Sequence, residues 1–133
     1  RANKLAWRLV DAHPGAGIAN RFGIPDCPER VHWEEEFARE VGAPGAYDYG
    51  PERASWLTHH MTNWMGDDGF LRAATCKIRR HNPAAGKLFI KGKVKRKYVE
   101  GGRHLVEIEQ EARNQENELS VLGTGIVELP SRR

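Results

Sequence analysis

The sequence predicts an α+β fold in which one long apolar helix is wrapped by a curved antiparallel sheet. Three observations carry this. Gly50 to Trp64 keeps a helical apolar period, the period changes to two from Phe70 onward, and the later strands gather their apolar residues on one side. Strands that are apolar on one face and charged on the other cover a core with one side and meet water with the other. A helix with few charges needs burial, and a sheet curling around it is the simplest cover.

At 133 residues, 39% hydrophobic and 29% charged, the chain has the length of one domain, 1–133, and can bury a core without a metal or disulfide staple. Cys27 and Cys76 are too few for a disulfide framework, so a cytoplasmic protein is expected. No run of residues approaches the roughly 20 apolar positions of a membrane span. A net charge of +3 suits a phosphate-bearing small molecule as well as a polyanion. Neither a membrane nor a nucleic-acid partner is expected.

Residues 1–31 form an irregular lead-in. Asp11 to Gly17 and Gly23 to Pro28 read as loops, because their prolines and glycines suppress helix and central strand. Trp33 to Val41 reads as a short helix with Glu34, Glu35 and Glu36 at its electropositive start and Trp33, Phe37 and Val41 along one face. Gly42 to Gly45 stops it. In the central helix Ala54, Leu57, Met61 and Trp64 share a face, Pro51 suits the first turn, and Gly66 to Gly69 ends it.

Four strands follow: Phe70 to Arg80, Lys87 onward, a third after Gly101-Gly102, and Leu119 to Leu129. Leu88, Ile90, Gly92 and Val94 oppose a row of lysines, while Val106, Ile108, Gln110 and Ala112 oppose Glu107, Glu109 and Glu111. A three-residue loop Gly101-Gly102-Arg103 would set Lys97 across from Glu107, Lys95 from Glu109 and Lys93 from Glu111, so this register is expected. The basic row reads as a solvated sheet face, or as a phosphate-attracting rim near Arg79, Arg80, Lys95 and Arg96.

Metal ligation is not expected. His59 and His60 are adjacent and diverge by about 100°, the remaining histidines are scattered, and no paired-cysteine motif exists. Two features carry possible chemistry. His32 precedes a helix, behind a loop bearing Asp26 and Glu29, and histidine hands protons both ways near neutral pH. The amides opening the central helix at Gly50 can polarise a carbonyl and stabilise an enolate oxygen. The plainer alternative there is a turn glycine with Asp48 as helix cap. Tyr47 and Tyr49 either line that mouth or pack.

The run His32-Trp33-Glu34-Glu35-Glu36-Phe37-Ala38-Arg39-Glu40-Val41-Gly42, then Tyr49-Gly50 and the apolar helix, resembles the MaoC-like dehydratases, or (R)-specific enoyl-CoA hydratases, of the hot-dog fold. Arg79 to Gly86 and Ala112 to Asn117 resemble that family's later turns. The resemblance covers His32 to Pro130. It implies a single MaoC-like hot-dog domain and an acyl-CoA or carrier-protein thioester as substrate. It also implies reversible hydration of a 2-enoyl double bond, no metal or redox cofactor, and pairing as a homodimer or with another hot-dog subunit. His32 matches the catalytic histidine and Gly50 the residue whose N–H holds the thioester oxygen. Arg79, Arg80 and Arg96 are assigned to coenzyme A phosphates on charge alone. The family's aspartate and asparagine positions hold Cys27 and Glu29. Asp26 or Glu29 therefore takes the acid–base role, or the chain is a non-catalytic subunit of a paired hydratase, or an acyl-CoA thioesterase.

Overall fold

The structure is a computed structural model that describes Arg8 and residues 11–14, 17–19, 22–23, 25–26 and 28–131. The chain forms two compact units, residues 1–47 and 48–133.

In the first unit, strand β1 (Ile18–Ala19) pairs antiparallel with β2 (Pro25–Asp26), Ile18 opposite Asp26 and Ala19 opposite Pro25. The expected loop over Gly23 to Pro28 thus contains a short strand. Pro25 is its first residue, a strand position that tolerates the missing N–H. Pro28 then opens a 3₁₀ turn, Pro28–His32, using its preset φ as it would at a helix start. Both the Trp33 and Glu34 N–H groups close this turn on Arg30 O, at 3.1 and 2.8 Å.

Helix α1 (Glu35–Glu40) is shorter than Trp33 to Val41. Phe37 and Ala38 are buried, whereas Trp33 and Val41 are 58% and 55% exposed, so the four-residue apolar face does not form. Trp33 sits before the helix, beyond a turn of three residues rather than 3.6, and Val41 is already its C-cap. The place by Phe37 goes to Arg30. This buried residue lays its guanidinium 4.3 Å from the Phe37 ring centre and pairs with Glu34 at 2.7 Å.

The second unit is one helix and one sheet. Helix α2 (Gly50–Met65) has Tyr49 as N-cap, Pro51 in its first turn, and Gly66 at φ +70 to close it. Its fully buried row is Arg53, Leu57 and Met61, not Ala54, Leu57, Met61 and Trp64. The row is rotated because Asp48 draws Arg53 inward, while Trp64 stays 48% exposed.

Strands β3 (Phe70–Ile78), β4 (Leu88–Glu100), β5 (Arg103–Asn114) and β6 (Leu119–Leu129) form an antiparallel sheet in the order β3–β6–β5–β4. Leu57 packs on Ala112 and Val121, and a second cluster joins Val106, Ile108 and Val127. Gly123 and Gly125 make the close seating of the helix possible. A Cβ on Gly123 would lie 2.7 Å from Leu57 Cδ1, and one on Gly125 would run into Met61 Sδ.

The β4–β5 hairpin differs from the expected register. Its loop is the two residues Gly101 and Gly102, both left-handed (φ +56 and +75), with Glu100 opposite Arg103. That geometry matches the twist of the strands, which favours it over three residues. Lys91 therefore faces Glu111, Lys93 faces Glu109, and Lys97 faces Val106. A bulge between Val94 and Arg96 keeps the apolar side intact, since Val94 remains opposite Ile108 while Arg96 meets Glu107. The extra residue, Lys95, reaches Glu107 at 3.2 Å and Glu109 at 3.0 Å.

Candidate active site

His32 closes the 3₁₀ turn, and its Nδ1 lies 2.8 Å from Tyr47 O. A carbonyl only accepts, so Nδ1–H donates, and the lone pair of the neutral ring belongs to Nε2. The Tyr47 ring meets the imidazole edge-on, with centroids 4.9 Å apart and planes at 81°. The Tyr47 N–H returns to Val31 O at 3.4 Å, which ties the tyrosine's main chain to the turn that holds the histidine. Tyr47 is thus a support for His32, by its carbonyl and its ring.

Glu29 lies in the same 3₁₀ turn, three residues before His32. Such a turn has three residues per revolution, so positions three apart eclipse and Glu29 shares a face with His32. The loop expected from the sequence hid this relation. Its signal was Pro28, a proline suited to a first helical position, one residue before a glutamate. The Asp26 backbone lies in β2, while its side chain and Cys27 fall outside the described residues.

In the second unit, Gly50 opens α2 as expected. Pro51 has no N–H and the Glu52 N–H is taken by Tyr49 O at 2.9 Å, so Gly50 supplies the first donor of the helix. A Cβ at Gly50 would come within 3.1 Å of Ile78 Cδ1, which makes this a close approach between helix and strand. Tyr49 is 46% exposed and contributes its carbonyl to the turn.

Asp48 is not the helix cap. Its Oδ1 accepts from Arg53 Nε at 2.7 Å and from the terminal NH2 at 2.6 Å, with side chains only 8% and 2% exposed. Asn82 Nδ2 donates to the other oxygen at 3.0 Å. The sequence carries no sign of this role for Arg53, because arginine is rarely this buried unless paired and its partner lies across the helix start.

The basic candidates lie apart in character. Arg80 is paired with Glu118. Arg96 donates to Glu107 at 2.6 Å and rests 4.3 Å from the Tyr98 ring centre. Lys95 holds two glutamates, as described. Arg79 instead lines an open groove of about 740 Å³ on the sheet, with Lys77, Lys91 and Lys93 beside Glu109 and Glu111. Burial pushes the Cys76 thiol up from its ordinary pKa, against the pull of Arg53, and the residue packs against the Leu57–Ala112–Val121 cluster. Among the described residues no group of three or more His, Cys, Asp or Glu is arranged to hold a metal ion. No helix among them is long and apolar enough to cross a membrane.

No protein-family model matches the chain, and no curated protein does. Solved structures do. The (R)-hydratase from A. caviae involved in PHA biosynthesis superposes with a TM-score of 0.67 at 15% identity, over 76% of each chain. The ChsH1–ChsH2 complex from Mycobacterium tuberculosis gives 0.66 at 17% identity, also over 76% of each. A MaoC-like dehydratase from Rhodospirillum rubrum gives 0.66 at 18% identity, over 80% of this chain and 77% of that one. The chain has the hot-dog fold. Helix α2 is the central helix of that hot-dog, and β3 to β6 are the sheet that wraps it. At these identities the likeness carries the architecture, and the chemistry has to be argued from the residues.

Proposed function

We propose that the chain is a MaoC-like hydratase that adds water reversibly across the double bond of a 2-enoyl thioester of coenzyme A or a carrier protein. The observation that carries this reading is the His32 constellation. Nδ1–H is anchored on Tyr47 O, Nε2 keeps the lone pair, and Glu29 shares the face of the same turn. A histidine held in one tautomer, with a glutamate three residues earlier in the same turn, supports general acid–base chemistry.

In this mechanism the Gly50 N–H holds the thioester oxygen. One member of the His32–Glu29 pair takes a proton from water as its oxygen bonds to the β-carbon. The double-bond electrons move onto the thioester as an enolate, and the Gly50 N–H stabilises the growing negative charge. The proton taken from water passes within the pair to its other member, which delivers it to the α-carbon. This gives the 3-hydroxyacyl thioester and returns the pair to its starting state, and dehydration runs through the same steps reversed. Asp26 is the alternative carboxylate. The chain works as a dimer, with itself or with a second hot-dog subunit. The ChsH1–ChsH2 complex, by its name an assembly of two different chains, supports the second form.

The test is an assay that follows enoyl-thioester absorbance and free thiol together. The proposal expects absorbance to fall with no thiol released. Release of thiol would make the protein a thioesterase, and neither change with short, medium or ring-bearing acyl chains would make it a non-catalytic subunit.

A further inference from the structure

The most deeply buried charges of the second unit surround the residue assigned to the thioester oxygen. Arg53 Nε and NH2 hold Asp48 Oδ1, and Arg53 NH1 donates to Arg80 O at 2.6 Å and Ser120 Oγ at 3.3 Å. Asn82 Nδ2 holds Asp48 Oδ2, and the Asp48 N–H donates to Asn82 O, both at 3.0 Å. Five hydrogen-bonding groups from four segments thus converge: the stretch leading into the helix, the first helical turn, the turn after β3, and the start of β6.

A network of this kind is poorly explained by stability alone. Removing both charges from water costs about as much as their pairing returns, so apolar residues of the same size would hold these segments as well. The network is also imperfect, since Asn82 Oδ1 is buried and accepts no hydrogen bond among the described residues. What an ion pair supplies that apolar packing does not is direction. Asp48 and Arg53 bracket Tyr49-Gly50, so both ends of that dipeptide are pinned, and the Gly50 N–H has one orientation left to it. The pairing also neutralises Asp48. An uncompensated carboxylate two residues from Gly50 would oppose negative charge growing on a thioester oxygen there.

We propose that Asp48, Arg53 and Asn82 are positioning residues for the Gly50 N–H. They fix its direction and cancel the charge of the buried Asp48 carboxylate, which would oppose an oxyanion at this point. The kinetic part of this inference rests on the hydratase reading, whereas the orientation of Gly50 does not.

The test compares the wild-type protein with the double variant Asp48→Asn/Arg53→Met, which removes both charges together, and with Asn82→Leu, which keeps the ion pair. Each is labelled with ¹⁵N. The proposal expects both variants to stay folded by circular dichroism. The Gly50 amide order parameter should drop from the rigid range of about 0.85 towards 0.6, further in the double variant, with Met61 unchanged. With crotonyl-coenzyme A the double variant should lose at least tenfold in kcat while KM stays within twofold, and Arg53→Lys should fall between it and wild type. A Gly50 amide as ordered in a folded variant as in wild type overturns the proposal. If wild type turns over no thioester but Gly50 loosens as expected, the hydratase reading falls and the positioning network stands. If the double variant does not fold, Asn82→Leu decides by the same amide.

Discussion

Gln110 Nε2 stands 2.7 Å from His60 Nδ1 and donates at 3.0 Å to Leu57 O, so one buried amide ties β5 to the middle of the central helix. With Nε2 as donor, His60 Nδ1 must carry a lone pair, which places the proton of the neutral ring on Nε2. Gln110 Oε1 is buried and has no hydrogen-bond partner among the described residues. The amide therefore makes two bonds and leaves one acceptor stranded, and these contributions oppose one another. Gln110→Met should change unfolding free energy by no more than about 1 kcal/mol, because the stranded acceptor goes with the bonds. Gln110→Glu, which buries a carboxylate beside Leu57 O, should cost about 3 kcal/mol or more. Urea unfolding monitored by the tryptophans distinguishes the two.

The seat of the helix gives a second expectation. At Gly123 an added Cβ meets Leu57 Cδ1 at 2.7 Å and the Thr75 carbonyl oxygen at 2.8 Å. At Gly125 it meets mainly the flexible end of Met61. Both Gly→Ala changes overpack, at about 1–3 kcal/mol each. Gly123→Ala should lie at the upper end, since a strand carbonyl cannot swing aside. Met61→Ala should recover part of the Gly125→Ala loss and none of the Gly123→Ala loss, as double-mutant unfolding curves will show.

Acid should weaken the outer face of the sheet. Hydrogen bonds from Arg96 and then Lys95 hold the Glu107 carboxyl below its ordinary pKa of 4.5, and hydrogen bonds from Asn114 and Arg80 do the same for Glu118. A carboxylate with a depressed folded-state pKa stabilises the fold above its unfolded value, and that contribution is lost as pH falls through the folded value. The loss should therefore begin near pH 4.5 and continue below it. Glu107→Gln and Glu118→Gln should each flatten the fall of melting temperature below pH 4.5 and leave its pH dependence above 6 unchanged. Added salt should shrink both effects, because these groups face water.

The fold was legible because period is a property of sequence: helix α2 begins at Gly50 and β6 spans Leu119–Leu129, as the pattern indicates. What stayed hidden depends on partners distant in the chain. Arg53 looks like an outward residue until Asp48 is across from it, and the β4–β5 register needs a bulge at Lys95 that alternation does not announce. A two-residue loop with a bulge in β4 sets Lys93 against Glu109, whereas a three-residue loop without one sets it against Glu111. At the candidate site, His32 and Gly50 were legible as residue types in a family-like order. The eclipse of Glu29 with His32 was not, because two prolines read as loop when one begins a strand and the other a 3₁₀ turn.

The choice of carboxylate has its own outcome. Glu29→Gln should lower hydration kcat by 10²- to 10⁴-fold, the usual share of a general acid or base, and Asp26→Asn by less than tenfold. The reverse order would assign the role to Asp26. Both are read from steady-state rates on one enoyl thioester, with melting temperature as the control for folding.

The most direct measurement compares wild type with His32→Ala in hydration of a 2-enoyl-coenzyme A, with thiol release followed in the same cuvette. The account predicts turnover in wild type, a loss of at least 10²-fold in the variant at unchanged melting temperature, and no thiol from either. Equal turnover by wild type and the variant would contradict it, because the proton chemistry would then lie elsewhere.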